Sequence, residues 1–272
     1  INKNDTIILR STIPIGCSRN LVIPTLEKYS GLLSEVDFNL AFCPERTAEG
    51  LALKELRNNP QIIGSINEKS FQIASDFFGT ITNSIINVGS LEAAEMCKLM
   101  DNTYRDHKFA YINQLAPLAE NLNLNINKLV KSVNHGFPRN DIPFPSPGVG
   151  GPCLSKDPYI FNEAFKEYGL NSDLIMKSRN INEKMTNDLV KKLKMLLKRV
   201  GKDIKKARIY LIGIAFKGMP ETSDIRDSTS VWFIEALPTK KNIVAYDKFV
   251  DKSEMMKLGV KSVKLEQGFK NA

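Results

Sequence analysis

Short β-branched runs and helical stretches alternate through the first 90 residues of the chain. Residues 6–9, 38–42, 61–64 and 85–89 are apolar runs of strand length, rich in Ile, Val and Phe. Between them, residues 18–29 and 67–78 repeat apolar positions at helical spacing. That rhythm predicts a parallel sheet with helices packed on it, an α/β arrangement. The pattern then changes. A single helical stretch covers 90–122 with no Gly and no Pro before Pro117, and Ser90, Glu92 and Glu95 give it a capped, acidic start. A shorter helix follows at 126–134, then a Pro- and Gly-rich loop over 136–157. Another helix begins near Pro158, and a lysine-rich one runs over 172–200. Beyond Gly201 the strand and helix rhythm returns: 208–213 reads as a buried strand, 229–237 as a helix and 242–247 as a strand.

Composition narrows the classes. With 42% hydrophobic and 25% charged residues, the chain is neither disordered nor fibrous. No apolar run reaches the roughly 18–20 residues that span a bilayer, so no membrane segment is expected. The net charge of +8 raises nucleic acid or a small phosphorylated ligand as partner. The lysines of 191–206, however, interleave with Leu189, Val190, Leu193, Leu196 and Leu197 as on a solvated amphipathic helix, with no aromatic stacking platform. Nucleic acid is therefore not the expected partner. Four cysteines, Cys17, Cys43, Cys97 and Cys153, stand far apart, and with two histidines they form no metal-ligand spacing, so no metal site is expected. Isolated cysteines without a secretory leader fit a reducing cytoplasm.

Several groups carry candidate chemistry. Cys153 closes the run Gly148-Val149-Gly150-Gly151-Pro152, just ahead of a helix start and three residues before Lys156. Glycines there allow close backbone approach to a ligand, and the cation and helix start favour a thiolate. A nucleophile and a buried packing thiol are both open readings. Lys98 and Asn102 lie four apart on one helix face and could donate to an oxyanion, or be ordinary surface residues. Glu45 and Glu49 follow a strand, where open α/β sheets bind ligands, and could serve as a base and its partner or cap a helix. Thr12 follows the first strand in Ser11-Thr12-Ile13-Pro14, which also fits a plain turn.

Taken in order, these segments resemble the UDP-glucose/GDP-mannose dehydrogenase family. The resemblance runs through Ser11-Thr12-Ile13-Pro14-Ile15-Gly16, Cys43-Pro44-Glu45-Arg46 with Glu49-Gly50, and Glu95 to Asn102-Thr103-Tyr104-Arg105. It continues in Gly150-Gly151-Pro152-Cys153 with Lys156-Asp157, and in Gly213-Ile214-Ala215-Phe216-Lys217-Gly218 with Asp224-Ile225-Arg226. It implies an incomplete Rossmann-like cofactor domain over 1–89, a central helical catalytic and dimerisation region with a long helix over 90–200, and a partial Rossmann-like nucleotide-sugar domain over 201–272.

The resemblance also implies NAD as cofactor and oxidation of the C6 alcohol of a UDP-sugar to a carboxylate. Cys153 would be the nucleophile that forms a thiohemiacetal and then a thioester. Lys98 and Asn102 would stabilise oxyanions, Asp157 would assist proton transfer, Glu45 would act in thioester hydrolysis and Thr12 would hold its water. Thr12, Glu45 and Lys156 would lie on the cofactor. Glu49, Arg139, Gly150, Gly151, Lys217 and Arg226 would lie on the substrate, although Arg226 could instead pair with Asp224 or Asp227. Cys43-Pro44-Glu45-Arg46 looks like the branch acting on UDP-N-acetylhexosamines, with UDP-N-acetylmannosamine favoured over UDP-N-acetylglucosamine and UDP-glucose. A homodimer is expected, with the long helix as its interface, although Leu99, Ala110, Leu115 and Leu118 of that helix could instead pack on the chain's own domains.

One feature departs from the family. No Gly-x-Gly-x-x-Gly occurs, so the usual phosphate-binding turn is missing. The chain is expected to be the middle and most of the rear of a larger enzyme. A non-catalytic nucleotide-sugar-binding protein is the alternative.

Overall fold

The computed structural model describes residues 1–270; Asn271 and Ala272, the end of the predicted third region, lie outside the described residues. The chain forms two compact units, one of residues 1–103 and 157–172, the other of 104–156 and 173–272.

In the first unit, strands β1 (Thr6–Leu9), β2 (Asn39–Phe42), β3 (Gln61–Ser65) and β4 (Ile85–Gly89) form one sheet in that order. β1 and β2 are parallel, with Thr6 opposite Asn39 and Leu9 opposite Phe42, and β3 and β4 are parallel. β2 and β3 are antiparallel, which corrects the all-parallel expectation. Apolar alternation decides which face a side chain takes but not the direction of the strand. Helices α1 (Ile23–Ser30), α2 (Ala52–Asn58) and α3 (Glu68–Gly79) connect the strands.

Period-two alternation sorts the apolar side chains into two layers. Leu40, Phe42 and Ile62 face Ile23, Leu91 and Ala94, while Ala41, Cys43 and Ile63 face Ala74 and Phe78. The helix predicted over 18–29 is broken. It opens as a π turn over Ser18–Val22, and α1 starts at Ile23 with proline in its first turn, where a missing N–H costs nothing.

Helix α4 (Leu91–Asn121) gives its first half to this unit and its second half to the other. Ser90 Oγ accepts from the Ala93 N–H, as expected of a cap. α6 (Asp157–Glu167) completes the first unit.

The second unit holds α5 (Ile126–Asn134), α7 (Asp173–Arg199) and a parallel sheet of β5 (Ile209–Ile212), β6 (Ile243–Tyr246) and β7 (Lys261–Ser262), in that order. With α8 (Thr229–Ala236), α9 (Lys252–Lys257) and α10 (Leu265–Gly268), these strands enclose a core of Val190, Ile214, Ile234, Ile243, Ala245, Met255 and Val260. The run predicted as a buried strand is only half-buried, and Ile212 is 57% exposed. β5 is the edge of the described sheet and has a neighbour on one side only. The four residues of the long helix that were open between a dimer interface and packing within the chain divide evenly. Leu99 and Ala110 are buried within the chain itself, whereas Leu118 is exposed and Leu115 half-buried.

Candidate functional site

Two groups of predicted residues emerge, one in each unit. In the first unit the parallel pairing of β1 and β2 delivers the loops after them to the same sheet end. There Glu45 N–H donates to the Arg10 carbonyl and Cys43 N–H to that of Leu9. Ligands in open α/β sheets bind at such carboxyl ends. Glu45 is half-buried and caps no helix, since α2 begins only at Ala52. Its carboxylate takes Arg10 Nη2 at 2.5 Å and the Thr47 N–H at 2.8 Å. Burial pushes the Glu45 carboxyl up, but the Thr47 and Arg10 hydrogen bonds and the Arg10 charge outweigh it and hold the group below its ordinary value. Glu45 is thus a carboxylate at neutral pH.

Lys98 is not a surface lysine: it is 9% exposed, and its Nζ donates to the Glu45 backbone carbonyl at 2.5 Å. One turn on, Asn102 is fully buried and donates through Nδ2 to the equally buried Asp157 carboxylate at the first turn of α6. A hydrogen bond to a buried charge contributes about 1.5–3 kcal/mol, so this pair pins α6 to α4. Thr12 is half-buried in the loop after β1, and Glu49 is exposed. Thr12 and Glu45 thus lie in the loops at the carboxyl ends of β1 and β2, and Lys98 and Asn102, one turn apart on α4, reach Glu45 and Asp157.

Glu95 was legible as a first-turn acid and as the start of the run that ends at Arg105, with no role assigned to it. In the structure it is 1% exposed and accepts from the Gly16 N–H at 2.5 Å and the Ser18 N–H at 2.9 Å, so it fixes the loop that carries Thr12.

In the second unit Cys153 is exposed on a loop whose glycines are required by contact. A Cβ on Gly150 would lie 2.0 Å from the Asp227 carbonyl oxygen. One on Gly151, which has φ +89°, would lie 2.5 Å from the Phe216 ring. The Gly151 N–H donates to the Asp227 carbonyl at 2.9 Å, and Ser155 Oγ reaches the Asp227 carboxylate at 3.1 Å. The cysteine loop is thus seated on the 216–227 segment.

Its other side rests on a residue that the sequence did not single out. Arg179 in α7 is fully buried. Its Nη2 donates to the Val149 carbonyl at 2.6 Å, and its Nη1 to the Leu154 carbonyl and to Asp106, both at 2.8 Å. Asn182 donates to the same carboxylate at 2.9 Å and accepts from Asn113, whose own carbonyl receives the Ser146 N–H. Burial raises the Asp106 carboxyl, with Arg179 and Asn182 opposing it.

Two of the other cysteines have raised thiols. Burial pushes the Cys43 thiol up to about 12 against the pull of Arg10, and burial with the Glu95 charge raises Cys17. Neither suits thiolate chemistry.

Further along, Lys217, Gly218, Thr222 and Asp247 line a cleft of about 300 Å³ at the carboxyl ends of β5 and β6. Burial alone would raise the Asp247 carboxyl, yet the N–H groups of Ile214, Phe249, Val250 and Ala215 hold it below its ordinary value. Arg226 forms the ion pair that its neighbours allowed: its guanidinium grips Asp224 at 2.6–3.0 Å. Arg139 stacks on Phe137, 4.6 Å from the ring centre, beside Tyr104, Lys108 and Asp141. Lys156 is exposed and follows Cys153 in a turn, its N–H on the Cys153 carbonyl. Among the described residues no cluster of metal-binding side chains occurs, and no helix is long and apolar enough to cross a membrane.

Comparison with known proteins adds a framework. Residues 1–82 match the model of the NAD binding domain of the UDP-glucose/GDP-mannose dehydrogenase family, and residues 92–184 match that of its central domain. A UDP-N-acetyl-D-mannosamine dehydrogenase of Methanocaldococcus jannaschii is 34% identical over 92% of this chain and 54% of its own length. An NDP-N-acetyl-D-galactosaminuronic acid dehydrogenase of Ralstonia solanacearum is 30% identical over 87% of this chain and 55% of its own. The solved UDP-D-ManNAc dehydrogenase of Pyrococcus horikoshii superposes with a TM-score of 0.84 at 34% identity, over 92% of this chain and 59% of that one. The chain thus spans little more than half the length of these relatives. Two matching domain models of one family, in the order in which they follow along the chain, and an α/β fold shared with its solved members place this chain in the UDP-glucose/GDP-mannose dehydrogenase family.

Proposed function

We propose that the protein carrying this chain is an NAD-dependent UDP-sugar 6-dehydrogenase that turns the C6 alcohol into a carboxylate, with UDP-N-acetylmannosamine as substrate. The observation that carries it is the seat of Cys153: an exposed thiol on a loop fixed by glycine contacts and a buried arginine, in a chain whose Cys43 and Cys17 thiols are raised. The names of the relatives from M. jannaschii and P. horikoshii support the N-acetylmannosamine choice. The R. solanacearum relative keeps other N-acetylhexosamines in the panel.

NAD fits this chain in part. The loops after β1 and β2, with Thr12 and Glu45, suit one end of a dinucleotide, with Lys156 as a further contact, but no residue here supplies a Gly-rich pyrophosphate turn. When bound, NAD accepts hydride in each of the two oxidations. The chain's own groups do the rest. Cys153 Sγ adds to the C6 aldehyde carbon, and Lys98 and Asn102 donate to the oxygen that becomes negative. Asp157, held by Asn102, moves the proton at that oxygen. In the last step a water held by Thr12 gives a proton to Glu45 and attacks the thioester carbon. The C–S bond breaks, and the Cys153 thiol is restored.

Glu49, Arg139, Gly150, Gly151, Lys217 and Arg226 bind the substrate, the last two near its diphosphate. The chain works as a cofactor part (1–89), a central catalytic part (90–200) and a nucleotide-sugar part (201–272). Exposed Tyr104, Tyr111 and Leu118 form one stripe of α4, with exposed Leu122 just beyond its end, and this apolar stripe supports a homodimer. Four unpaired thiols suit a reducing cytoplasm.

The test is a panel of UDP-sugars with the full-length protein and its Cys153→Ser variant. UDP-N-acetylmannosamine should give the uronate with the parent, and the variant should not. A variant that binds the nucleotide sugar as tightly as a parent that makes no uronate would instead identify a non-catalytic binding protein.

A further inference from the structure

We infer that Arg179 is the positioning residue for Cys153: one buried guanidinium ties together the two ends of the cysteine loop and holds the thiol in its attacking place. The inference rests on the nucleophile role proposed above. Val149 precedes Cys153 by four residues and Leu154 follows it by one, and both of their carbonyls accept from Arg179, at 2.6 and 2.8 Å. The loop is therefore stapled across the cysteine, not merely beside it. Asp106 takes Nη1 at 2.8 Å and orients the planar fork, while Glu183 Oε1, 3.2 Å from Nε, adds a charge contact without a hydrogen bond. Asn182, on the next turn of α7, holds Asp106 in turn.

A buried ion pair adds little stability over well-packed apolar side chains, because desolvating both charges offsets their attraction. What an apolar side chain cannot do is donate to two carbonyls in fixed directions. Lysine cannot do so either, since its ammonium is a point charge without the rigid fork. The arrangement therefore has a geometric use. The glycines set the loop from the 216–227 side, and Arg179 sets it from α7.

The experiment uses the full-length protein and Arg179→Lys, with two readouts. The first is alkylation of Cys153 by iodoacetamide, followed by peptide mass spectrometry with Cys97 as internal reference. The second is steady-state kinetics with the UDP-sugar. Folded Arg179→Lys should change the Cys153 rate by about fivefold or more while that of Cys97 stays put. It should lower kcat by about tenfold to a hundredfold, the range for a misplaced reacting group, with KM within about twofold. A folded variant whose Cys153 alkylation and kcat both stay within about twofold of the parent would overturn the inference.

Should Arg179→Lys fail to fold, Asp106→Asn carries the test. It keeps the two carbonyl acceptors but removes the charge that orients the fork, and it should move the same two readouts in the same directions by a smaller factor. No movement would again overturn the inference. Alkylation needs no sugar, so the two proposals can fail separately. A parent inactive on every UDP-sugar, with Cys153 labelling still governed by residue 179, would remove the dehydrogenase and leave the staple.

Discussion

Gly150 offers a direct test of how the cysteine loop is seated. In Gly150→Ala the new methyl would be 2.0 Å from the Asp227 carbonyl oxygen and 3.2 Å from the Thr229 nitrogen, both backbone atoms that no rotamer change can move. The Asp227 carbonyl also accepts the Gly151 N–H at 2.9 Å, so separating the two segments stretches that bond as well. Overpacking of this kind costs about 1–3 kcal/mol. Weakening the hydrogen bond adds about 1 kcal/mol. At roughly 2–4 °C per kcal/mol for a chain of this size, the midpoint should fall by about 4–16 °C.

Gly79→Ala is the control. Gly79 is the last residue of α3, with nothing within 4 Å of a new Cβ and no positive φ, so alanine should leave stability unchanged or raise it by about 0.5–1 kcal/mol. The assay is thermal unfolding by circular dichroism on both variants and the parent. If Gly150→Ala melted within about 1 °C of the control, the close approach of the 150 and 227 backbones would be refuted.

Three further outcomes follow from the polar groups. Arg10→Met removes the guanidinium that helps to hold Glu45 below its ordinary value, so the acid limb of the kcat profile should move to higher pH; an unmoved limb would remove Glu45 as the titrating base. Glu95→Ala leaves the buried Gly16 and Ser18 N–H groups without their acceptor and should cost about 1–3 kcal/mol per group, read by urea unfolding. The Asp247 carboxyl is depressed in the folded state, so its contribution is present above the ordinary carboxylate range and lost as pH falls through the lower folded value. Asp247→Asn should therefore melt below the parent at neutral pH, with the gap closing as pH falls through that lowered folded value. A gap independent of pH would contradict that origin.

Much of the fold could be read from periodicity, because burial of one face leaves a mark on every second or every third to fourth residue. Asn125 and Asn67 cap α5 and α3 where the pattern begins, and the long helix ends one residue before Leu122. Strand direction leaves no such mark, which is why the antiparallel pairing of β2 with β3 was not visible. α2 was missed because none of its seven residues is buried.

At the site, Lys98 and Asn102 were legible as a pair on one helix face, but their burial was not, since it depends on Glu45 and Asp157 from distant segments. Arg179 was hidden for a related reason. In a helix with so many lysines, one more cation looks like part of the solvated face, and only its long-range acceptors distinguish it. Asn182 and Glu183, three and four residues on, were the local signal that α7 has a polar buried side.

The central claim is that the sugar passes through a covalent bond to Cys153, and the slow step of a Glu45→Gln variant exposes it most directly. Glutamine cannot take the proton from the attacking water, so hydrolysis should lag behind oxidation. Full-length Glu45→Gln, mixed with NAD and UDP-N-acetylmannosamine and quenched in acid, should carry the uronyl nucleotide as an adduct on the peptide containing Cys153, and Cys153→Ser should carry none. A Glu45→Gln enzyme that releases uronate at the parent rate, or an adduct on any residue other than Cys153, would contradict the account.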